Sequence, residues 1–118
     1  MLSKRIELMY ASQQMDSQTY EQLPSLLEDI EQKLGVKLED DNAGAFVTHL
    51  IKAIQRTKEG RAIVEDPTVI ELTKEKRKLF DWGMDCLRPY TSDPQTIEGE
   101  VVYLVAYFEM ILGEEFTC

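Results

Sequence analysis

The chain contains one histidine, His49, in the stretch AFVTHLIKAIQR at 45–56, with Lys52 and Arg56 behind it. An imidazole can serve as a base, a metal ligand or a nucleophile, and its neighbours decide which. The ligand role is poorly supported. The only cysteines are Cys86 and Cys118, no CxxC is present, and a transition-metal site would have too few soft ligands. The nucleophile role fits better. Cations at three and seven residues' distance lower the proton affinity of an imidazole and keep it neutral. They also offset the charge of an anion placed on it, and phosphate is the obvious anion.

Other reactive groups have simpler explanations. Cys86 lies in an apolar helical pattern and reads as core, and Cys118 is the last residue. The carboxylates of Glu39-Asp40-Asp41 and Glu114-Glu115 read as helix caps and solvated surface. None is set in an apolar context that would raise its pKa. With no glycine-rich phosphate loop and no nucleophile triad, an enzyme is not expected, nor is a cofactor.

The helix that carries His49 is predicted from about Asp40–Asn42 to Lys58. At about 100° per residue, Ala43, Phe46, Val47, Leu50 and Ile54 share the buried face. His49 falls on its edge. Arg56 is nearly in line with it two turns on, and Lys52 lies one turn on and further toward solvent. The same geometry also suits a partly exposed histidine with no chemistry, beside cations that are solvated or paired.

Helical periodicity runs through the rest of the chain, without sustained strand-like alternation. A short first helix at about 3–14 places Ile6, Met9 and Tyr10 on one face. The next, capped by Asp16 or Ser17, runs to Leu34 and stops at Gly35, with a kink or restart expected at Pro24. Gly60 ends the histidine helix. Asp66-Pro67 opens a helix to Arg88, and Asp93-Pro94 opens a last one that spans about Gln95 to Leu112. Gly83 and Gly99 fall inside helices and imply close helix–helix contact. The fold class expected is all-α, a compact bundle of five (possibly six) helices. The expected organisation is an N-terminal helical extension at 1–16, a helical domain at 17–113 and a tail at 114–118.

With 22 acidic against 13 basic residues the net charge is −9. Phosphate backbones and anionic membrane surfaces would repel such a chain unless one face were strongly basic. The nearest candidate is KEKRK at 74–78, a helical turn that reads as solvated. No direct nucleic-acid or membrane partner is expected. No apolar run is long enough to span a bilayer, and the N-terminus lacks a signal-peptide core, so a cytoplasmic location is the simplest expectation.

The spacing beyond the histidine has a further consequence. LGVKLEDDNAGAFVTHLIKAIQRTKEG resembles the first half of the phosphotransferase-system regulation domain, or PRD: a helix ending in Leu-Gly, an acidic connection, then His-Leu-x-x-Ala-x-x-Arg. VEDPTVIELTKEKRKLFDWGMDCL resembles the family's Asp-Pro opening of a long helix. EGEVVYLVAYFEMIL resembles its closing helix, Glu-Ile-x-Tyr-Leu-x-x-His-Phe. The resemblance spans roughly 17–112. It implies an all-helical regulatory domain, often dimeric, found in regulators of sugar-utilisation operons. Its histidines take phosphate from the phosphocarrier protein or from sugar-specific components of the phosphotransferase system (PTS).

By that resemblance His49 is the phosphoacceptor, with Arg56 and Lys52 as supporting cations. Tyr107 stands where the family has its second histidine, so that site is altered and silent. No effector domain accompanies the pattern, so a stand-alone domain acting through an unidentified regulatory protein partner or a homodimer is expected. Two other readings remain at this point. One is a passive interaction module without phosphorylation. The other is a histidine-phosphotransfer relay, suggested by His49-x-x-Lys52 but weakened by Ala53, where that motif has glycine.

Overall fold

Each long element begins and ends for a local reason. The computed structural model describes residues 2–113. Helix α1 is Leu2–Ala11 and α2 is Ser17–Leu34. Asp16 caps α2 by accepting from the Thr19 N–H at 2.8 Å, and Gly35 closes it at φ +69°, the left-handed conformation that suits glycine. Helix α3 is Asp40–Lys58, opened by a bond from the Glu39 N–H to the Asn42 side chain. Helix α4 is Pro67–Lys74, with Asp66 accepting from the Thr68 N–H. Helix α5 is Arg77–Leu87 and α6 is Glu98–Leu112. Short 3₁₀ turns occupy Arg88–Tyr90 and Pro94–Ile97.

The fold is therefore all-helical, with six helices and no strand among the described residues. Three expected details differ. Asp93-Pro94 opens the 3₁₀ turn Pro94–Ile97, and α6 begins only after it, at Glu98. Helix α2 does not restart at Pro24 but runs on through it. The long fourth helix expected from 66 to 88 is two, because the backbone leaves helical geometry at Lys76, where ψ is +63°. The reason is burial. Helix α4 has no buried residue and leaves Leu72 exposed, whereas α5 buries Leu79, Phe80, Met84, Cys86 and Leu87. One straight rod could not keep the first on the surface and drive the second into the core. KEKRK is this joint rather than a helical turn, and two of its lysines pair outward, Lys74 with Glu71 and Glu98, Lys76 with Glu109.

Helix α6 packs against α3, α4 and α5. Its stripe Val101, Leu104, Val105 and Phe108, with Ile97 just before it, meets Phe46, Leu50 and Ile54 of α3 in one core cluster, which α1 joins through Ile6 and Met9. The interior glycines are explained by close approach. A Cβ on Gly83 would sit 2.7 Å from Val101 Cγ1 of α6. Gly99 faces not a helix but the backbone of the α3–α4 connection, with Ile63 O 2.2 Å from where its Cβ would be.

Candidate functional site

The α3 residues fall as the helical spacing requires. Ala43, Phe46, Val47, Leu50 and Ile54 are buried, His49 is at the boundary with 19% of its side chain exposed, and Lys52 is exposed. The boundary is closed by α6. The His49 ring lies 5.8 Å from the Tyr103 ring and 5.4 Å from the Tyr107 ring, centroid to centroid. These tyrosines are one turn apart, so the imidazole is held between them. Tyr103 is itself anchored, because its hydroxyl donates to Glu65 at 2.8 Å.

Beneath the imidazole is a fully buried carboxylate, Glu100. Arg56 grips it in a fork, Nε to Oε2 at 2.7 Å and Nη2 to Oε1 at 2.9 Å. The Ile63 backbone N–H donates to Oε2 at 3.0 Å. The Nε2 atom of His49 is 3.8 Å from Oε1, too far for a hydrogen bond. It is also the one buried side-chain polar atom left without a partner among the described residues.

Glu100 is a functional residue that the linear pattern did not single out. The signal was present. Glu100 comes three residues after Ile97 and four before Leu104, and so falls on the apolar stripe of α6. A charge there survives only with a partner, and Arg56 supplies it. Helical spacing alone presents Arg56 as open to an incoming anion. Two of its nitrogens are committed to Glu100, and Nη1 alone makes no hydrogen bond among the described residues. Lys52 makes no ion pair among them.

The proton affinity of His49 is lowered from its ordinary value of 6.5, in the direction the sequence suggested. The leading cause is burial, with Arg56 and Lys52 adding to it and Glu100 opposing it. The imidazole is therefore neutral at pH 7, the form with a free lone pair. Its linkage to stability has a definite sign. The unfolded chain takes up this proton more readily than the folded one, so the histidine weakens the fold as pH falls below about 6.5 and has no such effect above. Urea midpoints at stepped pH should show wild type losing stability between pH 7.5 and 5.5 by more than His49→Gln does. Parallel curves would refute the lowered proton affinity.

Cys86 is buried, and burial pushes its thiol up to about 12. It is core, not a nucleophile at neutral pH. Cys118 and the pair Glu114-Glu115 lie outside the described residues. No group of three or more His, Cys, Asp or Glu side chains could hold a metal among those described.

The site thus draws together His49, from the His-Leu-x-x-Ala-x-x-Arg pattern, and Tyr107, from the closing-helix pattern, on facing helices with Arg56 and Glu100 clamped below. The protein-family model described as PRD domain matches residues 25–110, most of the chain and every residue of this cluster. The chain belongs to the PRD family. Neither the curated proteins nor the solved structures include one that matches it. A PRD is a phosphorylation domain regulated by the PTS, regulatory rather than catalytic, and the family implies interaction with PTS phosphocarriers in general. Among the described residues no helix is long and apolar enough to cross a membrane.

Proposed function

We propose that this PRD is a phosphate-operated switch whose acceptor is His49, charged by the phosphocarrier protein or a sugar-specific PTS component in the cytoplasm. The observation that carries the reading is the state of the imidazole. It is neutral at pH 7, gripped by two tyrosines and partly open to solvent next to the unpaired Lys52. Lys52 meets the phosphoryl charge first, and Arg56 contributes through Nη1 and its net charge. Tyr107 fills the second family position by packing against Phe46 and His49, and it is silent in phosphohistidine chemistry.

Phosphorylation adds a charge of about −2 at the α3–α6 seam. The adjoining outer stripe of α6 exposes Tyr103 and Met110. A partner seated there, either a second copy of the chain or a regulatory protein of sugar-utilisation transcription, would feel that charge at close range. The output is a change in protein association.

Intact-mass analysis at alkaline pH tests the reading, with phosphoenolpyruvate and the general PTS enzymes as donor. One phosphate should appear on wild type and none on His49→Gln. No added mass, with the donor shown competent on a control substrate, would overturn it in favour of a passive interaction module.

A further inference from the structure

Two nitrogens of His49 could in principle attack phosphorus, and the structure treats them differently. Nε2 is sealed from solvent and turned toward Glu100 Oε1 at 3.8 Å. Nδ1 makes no hydrogen bond among the described residues and is not one of their enclosed polar atoms, so the solvent-exposed part of the ring includes it. The tyrosine rings on either side hold this orientation.

We propose that Glu100 is a positioning residue that keeps the proton of neutral His49 on Nε2, so that the lone pair, and any phosphoryl group the histidine accepts, is on Nδ1. The sign of the electrostatics carries the argument. A neutral imidazole has one N–H and one lone pair. With the proton on Nε2, an N–H faces a carboxylate and attracts it. With the proton on Nδ1, a lone pair faces that same carboxylate, and both are negative. Glu100 cannot turn away, because Arg56 and the Ile63 N–H hold both its oxygens. Oε1 accepts only one of these bonds and retains a lone pair for Nε2. The remaining titratable groups near the ring do not reverse the preference. Tyr103 and Tyr107 are neutral rings with centroids 5.8 and 5.4 Å away, and among the charges acting on the imidazole Glu100 is stronger than Arg56 or Lys52.

The second half of the proposal rests on His49 being the phosphoacceptor. The donor's bond to phosphorus breaks and its electron pair stays with the leaving group. The Nδ1 lone pair forms the new N–P bond. The Nε2 proton stays where it is, and the ring becomes an imidazolium bearing the phosphoryl group. Glu100 faces the N–H side of that cation and stabilises the charge as it develops, the role a buried carboxylate plays for any imidazole gaining positive charge. Attack through Nε2 would instead drive a phosphoryl dianion against a buried carboxylate.

The test uses the only histidine in the chain, so one ring gives the whole signal. Long-range proton–nitrogen correlation spectra of uniformly ¹⁵N-labelled protein at pH 7.5 report which nitrogen carries hydrogen. Nε2 should be protonated and Nδ1 bare, and Glu100→Gln should erase the bias. The reverse tautomer, or an even mixture in wild type, overturns the assignment even if the variant does not fold. After exposure to the PTS donor, the same spectra with phosphorus coupling identify the phosphorylated nitrogen. Nδ1 supports the proposal and Nε2 overturns it. Failure to take phosphate at all counts against the acceptor role of His49 and leaves the tautomer assignment to be judged by the first spectra.

Discussion

Replacing Arg56 by Met should destabilise the fold by about 3–5 kcal/mol, the cost of stripping the partner from a buried ion pair. The asymmetry of the pair sets that figure. Glu100 has no exposed surface, whereas about a quarter of the Arg56 side chain is exposed. Removing Arg56 leaves a carboxylate that water cannot reach. Removing Glu100 leaves a guanidinium that water can partly rescue, together with an unpaired Ile63 N–H. Glu100→Leu should therefore cost less, about 2–3 kcal/mol. The double variant, which removes both charges, should cost clearly less than the sum of the singles. Urea denaturation of all four proteins measures this cycle. Additive losses would mean that the fork between Arg56 and Glu100 carries no coupling, and with it would go the rigid carboxylate beneath His49.

Gly99→Ala should cost about 3 kcal/mol, near the upper end for overpacking. The added Cβ would meet the Ile63 carbonyl oxygen at 2.2 Å and the Glu65 nitrogen at 3.0 Å. Both are backbone atoms, so the whole α3–α4 connection must lift from α6. That movement would pull the Ile63 N–H from Glu100 and the Glu65 carboxylate from Tyr103, and it would loosen the floor and one wall of the histidine site together. Gly83→Ala is the natural comparison. There the obstacle is a methyl group of Val101, which can yield more easily, and alanine recovers about 1 kcal/mol of helix propensity at this mid-helix position. Thermal melts should rank wild type above Gly83→Ala and Gly83→Ala above Gly99→Ala. A Gly99→Ala protein as stable as wild type would show that the connection does not press on α6.

The cluster was partly legible before the structure. The edge position of His49, the exposure of Lys52 and the alignment of Arg56 all follow from helical spacing, because a helix fixes the angle between residues without knowing its neighbours. The caps at Asp16 and Asp66 and the stop at Gly35 are legible for the same reason. They satisfy backbone groups within a few residues.

What the linear pattern could not reveal depends on which helix lies opposite. The KEKRK stretch reads as continuous helix because nothing in its own residues forbids it, and only the different depths of α4 and α5 force the break. Arg56 reads as an anion-binding cation until α6 places a carboxylate 2.7 Å from its Nε. Glu100 looks like one acid among 22 until it is buried. Local spacing suffices for most of the helices, for the caps at Asp16 and Asp66, for the buried face of α3 and for a family resemblance built on His49. The packing of α6 on α3 is what sets the histidine on a clamped carboxylate beside two tyrosines. A helix sets the directions of its own side chains, while the charge and polarity they meet belong to residues more than forty positions away.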